Sequence, residues 1–270
     1  MLFKTTFVAA ALACLSMTAQ AHIGLSKPCG RYHPAAGCPP PPAGQSIDYD
    51  INSPIGTFDR KNQPLCKHTV PYTQRTVYKA GETINTAYSV GASHGGGHCQ
   101  WALSYDNGQS WVVIKTMLRD CFKNAGQGYT VPVQIPSGAP SGKATFMWLW
   151  NNAVGNRELY SNCADIEIQG TSGGSISGVV PLIANYGSES YYIPEFSGAN
   201  DGSAEFSKRK SITIRAGSGA GAGISSPATT ITSSPKPTHE PTKGTKTVTV
   251  TKTVTVIPTV TCGPSRYSKY

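Results

Sequence analysis

Between residues 82 and 168 apolar and polar positions alternate in short runs closed by turn residues. The segment 82–90 carries Thr83, Ile84, Thr86 and Tyr88, and Val131, Val133 and Ile135 alternate with polar or proline positions. In 163–168, Ile166 and Ile168 are expected to face inward and Asp165 and Glu167 outward. A period of two is that of a strand with one buried face. The runs 100–105 and 110–117 flank Asp106-Asn107-Gly108 and predict a hairpin, because Asn-Gly accepts the positive φ of tight turns. Residues 143–150 differ, with Phe146, Trp148 and Trp150 on one side and Met147 and Leu149 on the other; this predicts a central strand buried on both faces. Strand signals begin near Tyr78, and weaker runs at 179–184 and 211–215 predict an edge extension or a strap. Residues 22–66 contain Pro28, Pro34, Pro39 to Pro42, Pro54 and Pro64, so loop is expected there. The pattern predicts an all-β chain, a β-sandwich of the immunoglobulin or fibronectin-III type with long loops.

Composition divides the chain further. Residues 1–21 hold Lys4, an apolar run from Phe7 to Leu15 and small residues at Ala19 and Ala21, the pattern of a secretory signal peptide and too short for a membrane span. From about Gly217 the composition turns to Gly-Ala-Ser and then Pro-Thr-Lys, with Thr-Lys-Thr-Val-Thr-Val at 245–250 and again at 251–256. A disordered, O-glycosylated spacer is expected. The expected organisation is a signal peptide over 1–21, a sandwich over 22–170, an extension strapped to it over 171–215, and a Ser/Thr/Pro-rich tail over 216–270.

The net charge of +9 suggests nucleic acid until it is partitioned. Residues 22–215 hold 16 Lys/Arg against 13 Asp/Glu, and residues 216–270 hold 6 against 1. The expected domain is nearly balanced and has no basic run with interleaved aromatics, which argues against nucleic acid as a partner. Of eight cysteines, Cys14 would leave with the signal and Cys262 stands in the tail. The six at 29, 38, 66, 99, 121 and 163 can pair internally in an oxidising compartment, with Cys29 and Cys38 bracketing a short loop.

Cleavage after Ala21 would free the α-amino group of His22, placing an amine and an imidazole where both can chelate one metal ion. A second histidine would complete three nitrogens. His94 and His98 share the glycine-rich loop 91–99; His94 opens onto three glycines, which permit unusual φ and close approach of another surface. His98 precedes Cys99, whose expected bridge restricts it. His33 and His68 are expected to be bystanders in the polar loop region. Three nitrogens in roughly one plane suit Cu(II), whereas zinc prefers a tetrahedron and has no evident fourth ligand. Copper implies redox chemistry.

The His22 junction, the run from His94-Gly95-Gly96-Gly97 to Gln100 and the run from Trp150-Asn151-Asn152 to Cys163-Ala164 together resemble the fungal lytic polysaccharide monooxygenases of auxiliary activity family 11, over about residues 22–170. Residues 49–55 and 64–67 are similar to that family too. The resemblance implies a copper brace made by the amine and side chain of His22 and the side chain of His94. It implies Tyr160 as an axial ligand, Ala92 as the small residue on the opposite axial side and Glu158 as a carboxylate near the oxygen position, with Arg157 among the residues around the metal; a surface pair between Glu158 and Arg157 is the bland alternative for that carboxylate. It also implies the disulfides Cys66–Cys163 and Cys99–Cys121. The implied activity is that of a secreted, monomeric enzyme cleaving β-1,4 bonds in crystalline chitin with O2 or H2O2 and an external electron donor. A non-catalytic copper- or chitin-binding module at the cell wall shares every ligand and is the alternative. Residues 29–42 look like an insertion beginning close to the metal, able to add substrate-binding surface or to cover part of the site.

Overall fold

The computed structural model describes residues 22–216. The expected signal peptide, and the expected tail from residue 217 with its repeats and Cys262, lie outside the described residues. The strands are β1 (Ile23–Lys27), β2 (Gly56–Thr57), β3 (Arg60–Lys61), β4 (Thr76–Lys79), β5 (Thr83–Val90), β6 (Gly97–Ser104), β7 (Val112–Met117), β8 (Thr130–Gln134), β9 (Gly142–Asn152), β10 (Glu158–Gln169), β11 (Ser175–Val179) and β12 (Ser211–Arg215), with a short 3-10 helix at Ser203–Lys208. The smaller sheet has the order β1-β5-β8 and the larger β12-β11-β7-β6-β9-β10-β2-β3, with β4 laid parallel to β10. The chain is an all-β sandwich.

The core lies between the sheets. Ile23, Leu25, Ile84, Tyr88, Val131 and Val133 from the smaller sheet meet Trp101, Leu103, Phe146, Trp148, Trp150 and Ile166 from the larger. The opposite face of the larger sheet is covered too: Met147, Leu149, Ala102 and Leu159 pack with Ile55 and Trp111, and with Leu65, Val179, Ile183 and Tyr186 at the margin. This second layer explains why β9 is apolar on both sides. In the turn after β6, Asn107 and Gly108 take φ of 54° and 90°, positive values that asparagine tolerates and glycine, without a Cβ, adopts freely.

Three expectations are corrected. The proline-rich N-terminal stretch contains β1, which pairs along β5 and stops at Lys27 immediately before Pro28; proline forbids continuation past that point but not a strand before it. Asp165 does not face solvent. It is buried under the 29–75 loops, where Arg31 donates to both carboxylate oxygens at 2.9 and 2.7 Å and the Tyr72 amide donates at 2.7 Å. His33 and His68 take no part in the site, as expected, and serve the loops instead: His33 is buried and accepts from the Ala35 amide at 3.0 Å, while His68 pairs with Asp48 at 2.7 Å and packs on Tyr32. The first strand after residue 170 is 175–179 rather than 179–184, and it joins β7 at Val179 and β12 along its length.

Disulfides join Cys29 to Cys38, Cys66 to Cys163 and Cys99 to Cys121. His98 anchors the C-terminal segment. Its Nδ1 accepts from the Arg119 amide at 3.0 Å, which leaves Nε2–H to donate to the Asp201 carbonyl at 2.8 Å, and its ring lies between Phe196 and Phe206.

Arg31→Ala would leave the Asp165 carboxylate desolvated and is expected to cost about 3–5 kcal/mol in urea unfolding; a loss below about 1 kcal/mol would mean the pair is solvated like a surface one. Burial holds the imidazoles of His33, His68 and His98 below their ordinary range. Below about pH 6.5 the unfolded chain therefore binds protons that the folded chain resists, and stability should decline as pH falls through that value. Melting temperature followed against pH tests this, with His98→Gln expected to flatten part of the decline.

Candidate metal centre

His22 directly precedes β1. The Ile23↔Val90 pairing and the Gly91 amide donating to the His22 carbonyl at 2.9 Å place it beside the start of the glycine loop. In that loop His94, Gly95 and Gly96 all take left-handed φ, 47°, 69° and 104°. Two of the glycines are required by close approach as well as by φ. A Cβ on Gly96 would meet the Arg119 carbonyl at 2.8 Å, and one on Gly97 would collide with the Asn151 backbone and the Trp150 indole. The loop is tied to its neighbour by Val154 donating to the His94 carbonyl at 2.9 Å and Ala153 to that of Gly96 at 2.8 Å.

Tyr160 comes from β10, opposite Trp150 on β9, and their rings lie 4.6 Å apart. The His22 and His94 rings each lie 6.3 Å from the Tyr160 ring, so both imidazoles face one phenol. The Tyr160 hydroxyl donates to Glu158 Oε2 at 2.7 Å and stands 3.4 Å from His94 Nε2. Burial, then the Glu158 charge, raises the phenol well above its ordinary range. It stays protonated and neutral. His94 Nε2 is thus the inward nitrogen, while Nδ1 lies against Gly155, where a Cβ would come within 3.3 Å.

Among the described residues no three His, Cys, Asp or Glu side chains cluster as a metal site. Two imidazoles facing one phenol, joined by a terminal amine if the chain begins at His22, make a different donor set, and it is one that fits copper. Beside His22 a depression of about 220 Å³ is lined by residues that include Tyr49, Asp50, Asn52 and Gln127.

No family model matches the chain. Over 132 residues it is 41% identical to an AA11 family lytic polysaccharide monooxygenase A of Aspergillus fumigatus, covering 48% of this chain and 58% of that relative. Over 127 residues it is 36% identical to an AA11 family lytic polysaccharide monooxygenase B of the same species, covering 42% of this chain and 30% of that relative. The sandwich is a homologue of the AA11 lytic polysaccharide monooxygenases. The matched stretch spans little more than half the length of the first relative and less than a third of the second. Among solved structures, a cellulose-active polysaccharide monooxygenase from M. thermophila overlays 58% of this chain and 79% of that chain at 16% identity with a TM-score of 0.42, too loose an overlap to argue from.

Of the residues that the AA11 resemblance singles out, His22, His94, Tyr160 and Glu158 come together, and Ala92 lies two positions before His94 in the same loop. Arg157 turns away from Glu158 to hold the 152–158 loop, donating to the carbonyls of Gly155 at 2.8 Å, Asn152 at 2.9 Å and Pro194 at 3.2 Å. His98 points into the Asp201 anchor and takes no part. Near the start of the 29–42 stretch, Arg31 is fastened to Asp165, seven positions along β10 from Glu158.

Two contributors escaped sequence reasoning. Trp150 forms the floor beneath Tyr160 and His94, a role visible only once β9 and β10 are set in register. Gly155, at φ 92°, lets the His94 ring approach; its place in the turn-like run Val154-Gly155-Asn156 was the available signal. Gly155→Ala is expected to cost about 1–2 kcal/mol from the left-handed φ and to shift the His94 imidazole resonances in NMR. Unmoved resonances would show that the ring does not depend on the gap.

Proposed function

We propose that this chain, cleaved after Ala21, is a secreted copper-dependent monooxygenase that oxidatively cleaves β-1,4 bonds in crystalline chitin. The observation that carries this reading is the convergence of His22 and His94 on the Tyr160 phenol, itself hydrogen-bonded to Glu158. The names of the relatives support the reaction class, and three disulfides suit an oxidising compartment. The His22 amine and imidazole, His94 Nε2 and the Tyr160 hydroxyl would hold one copper ion. Bound there, copper would supply one-electron redox chemistry, with an external electron donor and O2 or H2O2 as co-substrates, for oxidation at C1 or C4 of a sugar.

The protein groups do the rest. Tyr160 keeps its proton and fixes Glu158 through Oε2. Glu158 Oε1, 3.5 Å from the Asn156 amide nitrogen, is the oxygen left to take up or deliver a proton. Left-handed backbone at His94 to Gly96 holds the second imidazole without a long side-chain linkage. A site in loops at the end of the strands, beside a shallow depression, suits a polymer surface better than a small molecule.

The mature protein is expected to begin at His22, to bind one copper tightly, and to lose that tight binding when one extra residue is left ahead of His22. With ascorbate and β-chitin it should release oxidised chito-oligosaccharides, and His94→Ala should release none. Tight copper binding without oxidised products from any β-1,4 polymer would instead favour a non-catalytic binding module.

A further inference from the structure

Two large aromatic side chains stand exposed beside the centre without serving the core. Phe58 is 51% exposed and Tyr192 is 52% exposed, and their rings meet edge to face at 5.8 Å. Tyr192 belongs to the segment beyond residue 170, outside the stretch that resembles the AA11 family.

Backbone contacts place the pair next to the site loops. The Phe58 amide donates to the Arg157 carbonyl at 3.0 Å, one residue from Glu158. On the Tyr192 side, the Arg157 guanidinium donates to the Pro194 carbonyl at 3.2 Å. The Gly155 amide donates to Glu195 at 2.9 Å and the Phe196 amide to the Ala153 carbonyl at 2.9 Å. The segment carrying Tyr192 therefore lies along the loop that backs His94 and Glu158. Val154, 48% exposed and in contact range of the Gly95 position, continues the apolar surface toward His94.

Both rings stand on braced backbone. Phe58 follows β2, which is paired to β10 at Glu158 and Leu159. Tyr192 stands between Tyr191, whose carbonyl accepts from Asn185 at 2.9 Å, and buried Ile193, whose amide donates to the Asn185 side chain at 3.0 Å. An ordered ring gives up little freedom on binding, so an exposed ring on a braced backbone is prepared to stack.

We infer that the Phe58–Tyr192 pair is an aromatic platform for a pyranose ring of the same β-1,4-linked chain that crosses the His22–His94 centre; with 84° between the ring planes, one ring stacks flat on the sugar and the other braces it edge-on. This rests on the function proposed above. The flat face of a β-linked pyranose carries axial C–H groups that match the electron-rich face of an aromatic ring. Buried Arg157 ties both rings' backbones to the loop that carries Val154 and backs His94, so a chain lying over the pair is led toward the site.

The test is depletion binding of the full mature protein to β-chitin and to microcrystalline cellulose, with oxidised products scored separately. Phe58→Ala and Tyr192→Ala are each expected to weaken binding to the preferred polymer about fivefold or more, a shift that corresponds to loss of one aromatic stacking contact. Melting temperature should hold, and Phe58→Tyr and Tyr192→Phe should retain most of the affinity. Binding equal to wild type in both alanine variants overturns the platform. So does a loss as severe in the aromatic-for-aromatic variants, which would mean the effect is not stacking. A wild-type dimer abolished by the alanine variants while polymer binding stays intact assigns the pair to a self-contact and overturns it too. Polymer binding that depends on the pair, without oxidised products from wild type, leaves the platform standing and removes the monooxygenase reading.

Discussion

The contact on which the site depends is Trp150 against Tyr160 across the β9–β10 pair, 4.6 Å between ring centres. Both rings are fully buried and continue into Phe122 and Trp148, so the phenol stands on packed core. Aromatic rings bury large areas with few rotatable bonds, which makes such a base stiff. Gly97 is part of the same contact, since any side chain there would strike the Trp150 indole and the Asn151 backbone. The glycine loop thus serves two ends: its left-handed residues aim His94, and the missing side chain at 97 lets Trp150 reach under Tyr160.

A second constraint is that the centre of the larger sheet is covered on both faces. The loops between β1 and β4, and the segment between β11 and β12, cover the side turned away from the smaller sheet. Covering it required polar groups to be satisfied internally. Arg31 reaches Asp165, Lys67 reaches Ser53 and the Asp50 carbonyl, and His98 reaches the Asp201 carbonyl. Arg31 and His98 each fasten a loop to a strand, and Lys67 fastens one loop to another, where a wholly apolar layer would be free to slide. The Lys67 contacts brace the stretch whose Tyr49, Asp50 and Asn52 line the depression beside His22.

Three loops meet at one end of the sandwich, and their hydrogen bonds couple them. The 91–96 loop holds His94, the 152–158 loop backs it through Val154 and Gly155, and the 192–196 segment braces the second loop through Glu195 and the Pro194 carbonyl. The last of these comes from the part of the chain with the weakest strand pattern. It nonetheless reaches the loops around the candidate centre, because β11 adds to the sheet edge at β7 and returns the chain across the outer face.

Much of this was legible in the residues themselves. Alternation over 82–90 and 130–135, the Asn-Gly turn and the two-sided apolar run at 143–150 are local properties, because strand pleat and turn φ are set by neighbouring residues. The glycines after His94 mark a loop of unusual backbone for the same reason. What lay beyond local pattern was which face is wet. Asp165 follows the polar phase of its strand yet is buried, since a guanidinium from Arg31, 134 positions away, meets it. Nor does spacing bring His22 and His94 to one phenol, or put Trp150 under Tyr160. Those depend on the register of β1 with β5 and of β9 with β10, and register is decided by the packing of whole sheets, because a slip of one residue would turn every side chain to the other face.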